Sequence, residues 1–213
     1  NALMTQSGPM PNSRGLSDFI WQWGQFIDHD MTLILQNPSE ELRIAINSSE
    51  DSLYPGPIVT FRSLSDPATG SNASTPREQI NHNTAFLDGS MIYGSDSARA
   101  EGLRTLAGGR LKTGDGPETL LPRNVDLFPN ENVGPAPNSS LFLAGDVRSN
   151  EQPGLTAMHT VWVREHNRWA DEIAAANPAW DDEQIYQRAR RLVSAEVQAV
   201  TYREWLPALL GPH

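Results

Sequence analysis

The chain contains no cysteine. Disulfides, thiolate metal sites and cysteine-based catalysis are therefore all excluded. It also lacks long apolar runs: the longest uninterrupted ones are only a few residues, whereas a membrane-crossing helix needs about 20. No transmembrane span is expected. Asn1-Ala2-Leu3-Met4 is not a charged segment leading into an apolar one, so no signal peptide is expected. A mature or excised chain would begin the same way, and secretion stays open. Basic residues are in short supply, with 16 Lys and Arg against 26 Asp and Glu and a formal net charge of −10. That balance argues against nucleic acid or an anionic membrane as a partner and suits cation binding.

What remains is the composition of a globular protein, 38% hydrophobic over 213 residues, enough for one large domain or a piece of a larger one. There is no internal repeat. Residues 1–15 read as a polar approach segment. From Asn37 to Thr75 the chain carries Pro38, Pro55, Pro57 and Pro67 among many Ser, Asp and Asn residues, which predicts a long loop with at most a short strand over Ile58–Phe61. Ser97–Leu106 reads as a short helix, Gly108–Leu121 as a hairpin and residues 122–140 as loop. Leu155–Ala176 predicts a long helix ending before Asn177-Pro178. A second, capped by Asp181 or Asp182, runs to Pro207 with Ile185, Leu192, Val193 and Val200 on its apolar side. Asn47, Asn72 and Asn138 each begin an N-x-S sequon, of consequence only in a eukaryotic secretory pathway. The expected fold class is mainly α with long irregular loops and little β, its helices enclosing something such as a cofactor.

One stretch stands apart. Placed on a helix at about 100° per residue, Leu16–Leu35, capped by Ser17, collects Leu16, Phe19, Ile20, Trp23, Phe26, Ile27 and Ile34 on one face. The other face carries Asp18, Gln22, Gln25, Asp28, His29 and Thr32, offering Gln25, Asp28 and His29 as one hydrogen-bonding cluster. Asp30 falls among the apolar residues. A carboxylate there must be paired, neutralised or bound to a metal, so neighbouring residues serve two different sites. The alternative is an ordinary amphipathic helix whose frayed end leaves Asp30 in water.

Two further segments carry chemistry. Thr84-Ala85-Phe86-Leu87-Asp88-Gly89-Ser90 presents hydroxyl, carboxylate and hydroxyl oxygens with backbone carbonyls between them, the hard donors Ca²⁺ takes. Alone it reads as a polar turn; beside a stranded Asp30 it reads as a cation site. Ala144-Gly145-Asp146-Val147-Arg148-Ser149-Asn150-Glu151-Gln152-Pro153 sets a permanently charged Arg148 before a helix. Beside a His such a group suits cleavage of a bound small oxygen species. Standing alone, the segment reads more simply as a surface pair of Arg148 and Glu151.

WGQFIDHD, REQINHNTAFLDGSMIYGSD and AGDVRSNEQPGLTAMHTVWVREHNR, in this order, resemble the animal haem peroxidase family from about Ser17 to Gly211. The resemblance implies a haem b enzyme that uses hydrogen peroxide to oxidise halides, thiocyanate or small organic reductants, with no nucleic-acid partner. His29 would be the distal base, Arg148 would stabilise the charge that develops as the O–O bond breaks, and Gln25 would position the distal water and small substrate. Asp30, Thr84, Phe86 (through its carbonyl), Asp88 and Ser90 would hold a structural Ca²⁺. Asp28 and Glu151 match the two carboxylates that can form ester bonds to haem methyls. An extracellular or secreted location follows by the same analogy.

The chain also departs from the pattern. Gln152 stands where one branch of the family has a methionine that links to a haem vinyl, so that bond is not expected. The absence of cysteine is unusual for the secreted animal enzymes. The family's proximal histidine lies beyond the segment resembled by REWLPALLG, and His82, His159, His166 and His213 do not occupy its context. Residues 1–213 are therefore expected to be the distal half of a peroxidase domain, inactive without the remainder of the domain as partner. Two other readings stay in play. One is a fatty-acid dioxygenase or cyclooxygenase-like haem enzyme, which commonly lacks the calcium loop. The other is a non-catalytic calcium-binding module, which would tend to lose the catalytic pair.

Overall fold

A computed structural model of the chain describes residues 7–47, 56–131 and 134–211. The first six residues, Pro55 and His213, about which the sequence raised expectations, lie outside these. The chain divides into two compact units, Asn1–Leu16 with Leu33–His82 and Ser17–Thr32 with Asn83–His213.

The smaller unit contains an antiparallel pair, β1 (Gln36–Ile44) and β2 (Ile58–Ser63), in which Leu42 faces Thr60 and Ile44 faces Ile58. The expected short strand is therefore present, but the expected loop before it is a strand. The register is irregular between Gln36 and Glu41, where Pro38 sits. Proline lacks the donor a regular ladder needs and is tolerated at such an interruption. Arg77 fixes the far end of the unit, donating through Nη1 to Glu40 at 3.0 Å and through Nη2 to the Ser63 carbonyl at 2.6 Å.

The larger unit is helical: α1 (Phe19–Met31), α2 (Ser90–Tyr93), α3 (Ser97–Gly102), α4 (Pro153–Ala176), α5 (Asp182–Val200) and α6 (Leu206–Leu210). α1 is shorter than the periodicity predicts. It begins without a side-chain cap, Asp18 rather than Ser17 occupying the cap position, and ends where Thr32 turns extended. Phe19 and Ile34, expected on its buried face, are exposed, whereas Trp23, Phe26 and Ile27 enter the core. There Phe26 lies parallel to Trp162 of α4 at 6.4 Å between centroids, and Trp23 sits 5.8 Å from the same ring.

α4 and α5 form an antiparallel hairpin. Asp181 caps α5 in a reciprocal box: its carboxylate accepts from the Gln184 N–H at 2.8 Å and its own N–H donates to Gln184 Oε1 at 3.0 Å. The helical path does not stop at Pro207. A π-turn over Thr201–Trp205 precedes α6, and Pro207 falls in the first turn of α6, where its missing N–H matters least. Nor is 108–121 a hairpin: one bridge joins Arg104 to Leu111. α4 holds this loop instead. Asn167 exchanges hydrogen bonds with the Leu111 N–H and carbonyl at 2.8 and 3.0 Å, and His166 Nε2 meets the Gly109 carbonyl at 2.8 Å. The His-Asn pair of REHN is thereby committed to structure.

Candidate active site

The end of α1 carries His29 and Asp30 side by side, and the helix is embedded on both sides: their exposures are 4% and 0%. Asp30 is not in water. Its Oδ1 accepts from Ser90 Oγ at 2.6 Å and the Met91 N–H at 3.3 Å, and its Oδ2 from the Gly89 N–H at 3.0 Å. Burial pushes the Asp30 carboxyl up, the Ser90 and Gly89 hydrogen bonds oppose this, and the Asp88 charge pushes it further up.

The loop before α2 carries the remaining oxygens, of which Ser90 bonds both Asp30 and Asp88 while Thr84 bonds Phe86. Thr84 Oγ1 donates to the Phe86 carbonyl at 3.2 Å, and Asp88 Oδ1 accepts from the Ser90 N–H at 3.1 Å. Gly89 takes φ +83° here, a conformation favourable only to glycine, and so turns its N–H onto Asp30. Ser194 and Gln198 of α5 donate to the Asp88 and Leu87 carbonyls at 2.8 and 2.7 Å. Among the described residues no basic side chain is ion-paired with Asp30 or Asp88. Two mutually repelling carboxylates with hydroxyl and carbonyl oxygens nearby are a donor set suited to a hard cation.

On the other side of α1, the Gly145–Asn150 turn delivers Asp146 and Arg148. Gly145 lies against the backbone of Met91 and Ile92, where a Cβ would come within 2.5 Å of main-chain atoms. Arg148 does not pair with Glu151, the alternative raised by its sequence. Its Nε and Nη2 engage Asp146 Oδ1 and Oδ2 at 2.9 and 2.8 Å, and Nη2 also donates to the Thr32 carbonyl at 2.7 Å. Nη1 is left uncommitted among the described residues. His29 Nδ1 lies 3.6 Å from Asp146 Oδ1 and makes no hydrogen bond. Burial lowers the His29 pKa, Asp146 raises it and Arg148 lowers it, the net shift being downward, which favours the neutral imidazole. Burial would raise the Asp146 carboxyl, yet the Arg148 hydrogen bonds and charge, with His29, hold it below the usual carboxylate range.

Gln25, Asp28 and His29 do not form one cluster. Gln25 Nε2 donates to Glu151 Oε2 at 2.8 Å and its Oε1 accepts from Gln152 Nε2 at 3.2 Å. Asp28 is exposed and accepts from Thr32 Oγ1 at 2.9 Å. The amides of Gln22 and Gln152 pair reciprocally at 3.2 and 2.7 Å, so Gln152 bonds both glutamines of α1. Burial raises the Glu151 carboxyl, while Arg148 lowers it.

Sequence reasoning gave three residues no role. Asp146 lay inside a quoted segment without a role. Asn83 Nδ2 donates to the His29 carbonyl at 2.7 Å. His159 is buried edge-on to Phe26 at 5.1 Å, with no well-formed hydrogen bond to either ring nitrogen among the described residues, and burial lowers its pKa to about 4 against the upward effects of Asp146 and the Met91 backbone. His166, bonded through Nδ1 to Tyr93 and through Nε2 to Gly109, is likewise a core residue. A strict helical repeat from α1 to Asp146 does not exist, so no periodicity signalled that carboxylate.

The whole chain, residues 1–213, matches the family model described as animal haem peroxidase. It is similar to a peroxidasin homolog of Mus musculus, 37% identical over 226 residues, covering 90% of this chain and 15% of that protein. Against myeloperoxidase of Homo sapiens the figures are 38% over 218 residues, 90% and 29%. The solved peroxidase A of Dictyostelium discoideum matches with a TM-score of 0.85 at 30% identity over 95% of this chain and 42% of that one. A fatty acid alpha-dioxygenase of Arabidopsis thaliana, at TM-score 0.78, 23% identity and coverages of 96% and 29%, shares the fold alone. The chain thus spans 15% and 29% of the length of these two curated relatives.

Proposed function

The chain belongs to the animal haem peroxidase family, and on that premise we propose that it supplies the peroxide-activating face of a haem peroxidase. The observation that carries this reading is the meeting of a neutral, buried His29 and a clamped Arg148 around one carboxylate, with Gln25 tied to Glu151 beside them. Gln25, Asp28, His29, Arg148 and Glu151 would hold haem b, and the chemistry of the set fits: an imidazole whose Nδ1 faces Asp146 and so leaves Nε2 for the haem side, a guanidinium nitrogen uncommitted among the described residues, an amide and two carboxylates. When bound, haem supplies the iron at which hydrogen peroxide is cleaved. His29 Nδ1 lies toward Asp146, so Nε2 is the nitrogen that takes a proton from peroxide and returns it to the departing oxygen. Arg148 offers fixed positive charge to that oxygen. Asp28 and Glu151 are candidates for ester links to haem methyls.

Ca²⁺ held by Asp30, Thr84, the Phe86 carbonyl, Asp88 and Ser90 would lock the end of α1 and with it His29, as an outer partner orients a ligand. The reductant is a halide, thiocyanate or a small phenol, the setting is extracellular, and further sequence of the same domain completes the haem site. The test is stopped-flow spectroscopy of the haem-loaded full-length protein mixed with peroxide. His29→Ala should keep haem and lose about 10²–10⁴-fold in the second-order rate. A parent-like rate would refute the assignment of the base.

A further inference from the structure

We infer that Asp146 is a positioning residue for the peroxide reaction, one carboxylate that sets both His29 and Arg148. The inference rests on the reading above and deepens it.

Asp146 Oδ1 accepts from the Arg148 backbone N–H at 2.8 Å and from Nε at 2.9 Å, while Oδ2 accepts from Nη2 at 2.8 Å. This is a side-on fork, with two parallel charge-assisted bonds fixing the guanidinium plane. It decides which nitrogen is free: Nε and Nη2 face the carboxylate, and Nη1 alone carries no bond to the described residues. Nη2 is tied further to the Thr32 carbonyl at 2.7 Å and reaches the His29 carbonyl at 3.3 Å. Arg148 therefore joins the end of α1 to the turn before α4.

The same Oδ1 lies 3.6 Å from His29 Nδ1, a buried nitrogen that has no hydrogen bond among the described residues. An anion at this distance favours a proton on Nδ1, leaving the Nε2 lone pair to act as base. That is how a carboxylate selects the tautomer of a catalytic imidazole. The other ionisable groups that feel Asp146 are Arg99, His159 and Glu151. None of these is hydrogen-bonded to its carboxylate in place of Arg148. Asp146 is 4% exposed, so water does not share its lone pairs freely. The turn that places it is fixed by Gly145 against α2. His29 and Arg148 come from segments 119 residues apart, and this carboxylate joins the His29 ring to the Arg148 guanidinium.

The test uses the haem-loaded full-length protein carrying Asp146→Asn or Asp146→Glu, with His29→Ala measured alongside. Asp146→Asn keeps the shape but removes the charge and one acceptor. It should hold haem and oxidise reductant in the later step within about twofold of the parent, while the peroxide step falls about 100-fold, the scale of a misplacement of about 1 Å. Asp146→Glu keeps the pair charged and displaces it, so its peroxide rate should lie between the two; it decides the question if the Asn variant does not fold. Parent-like peroxide rates in the Asp146 variants beside a slow His29→Ala would overturn the inference and leave the proposed function standing. Parallel loss of haem and of both steps would make Asp146 a fold residue and also overturn it. A parent-like rate in His29→Ala would overturn the proposed function itself.

Discussion

His159 offers a stability prediction whose sign and size follow from its surroundings. The ring is 1% exposed, lies edge-on to Phe26, and has no well-formed hydrogen bond to either nitrogen among the described residues, and burial lowers its pKa to about 4. In the unfolded chain a histidine titrates near 6.5. Its folded pKa is thus depressed, so between about pH 6.5 and 4 the unfolded state binds the extra proton. Stability is present above that window and is lost as pH falls through it. Integrated from about pH 7 to about pH 4.5, the loss from this one group is about 2–3 kcal/mol. His166, also at about 4, adds a loss of the same sign. The raised carboxyls of Asp30, Glu151 and Glu196 act in the opposite sense. Comparison with His159→Leu removes these common contributions. Urea unfolding of the two proteins at about pH 7, 5.5 and 4.5 should show the variant gaining on the parent by about 2–3 kcal/mol toward acid. Parallel pH dependences for the two proteins would refute the claim that His159 is buried neutral.

Three further outcomes are expected. Phe26→Ala should destabilise the chain by about 3–5 kcal/mol in urea titration, because Phe26 is fully buried between Trp23, Trp162 and His159; a loss under about 1 kcal/mol would mean the site collapses freely. Gly145→Ala should lower stability by about 1–3 kcal/mol, since its Cβ would press on Met91 and Ile92 main-chain atoms; an unchanged midpoint would contradict that close approach. Calcium at a hundred times its Kd should add about 2.7 kcal/mol, read as a melting shift reversed by chelator. The Asp30 carboxyl is raised by burial: its stabilising protonated form persists below the unfolded pKa and is lost as pH rises through the folded one. Calcium should therefore stabilise more at neutral than at acid pH, and Asp30→Asn should remove the shift. Equal melting of parent and variant, with or without calcium, would count against the site.

Much of this was legible in the sequence for definable reasons. α4 was readable because its apolar repeat is long and Asn177-Pro178 stops it. The start of α5 was readable because Asp181 and Asp182 stand as cap residues just before its apolar side begins, and the structure gives the cap to Asp181. Asp30 was readable because a carboxylate on an apolar helix face has few physical resolutions, and the structure gives it Ser90 and Gly89. β1 was not, because Gln36–Ile44 is polar, mostly exposed and interrupted by Pro38, so it has no alternation to detect. The glycines of 108–121 suggested a hairpin, but Gly109 instead lies against Ile185 and Tyr186 under the His166 clamp. Asp146 was invisible for a different reason. Its significance comes from contact with His29 and Arg148, and local sequence does not show long-range contact.

The most direct test of the central claim is to ask which oxidant drives turnover by the haem-loaded full-length protein. Iodide, thiocyanate and a simple phenol would each be supplied with hydrogen peroxide or with dioxygen alone, and a long-chain fatty acid with dioxygen in parallel. The account predicts oxidation of the small reductants only when peroxide is added, with no oxygen uptake on the fatty acid. Oxygen uptake on the fatty acid without peroxide would contradict it, and so would a haem-loaded protein inert to peroxide.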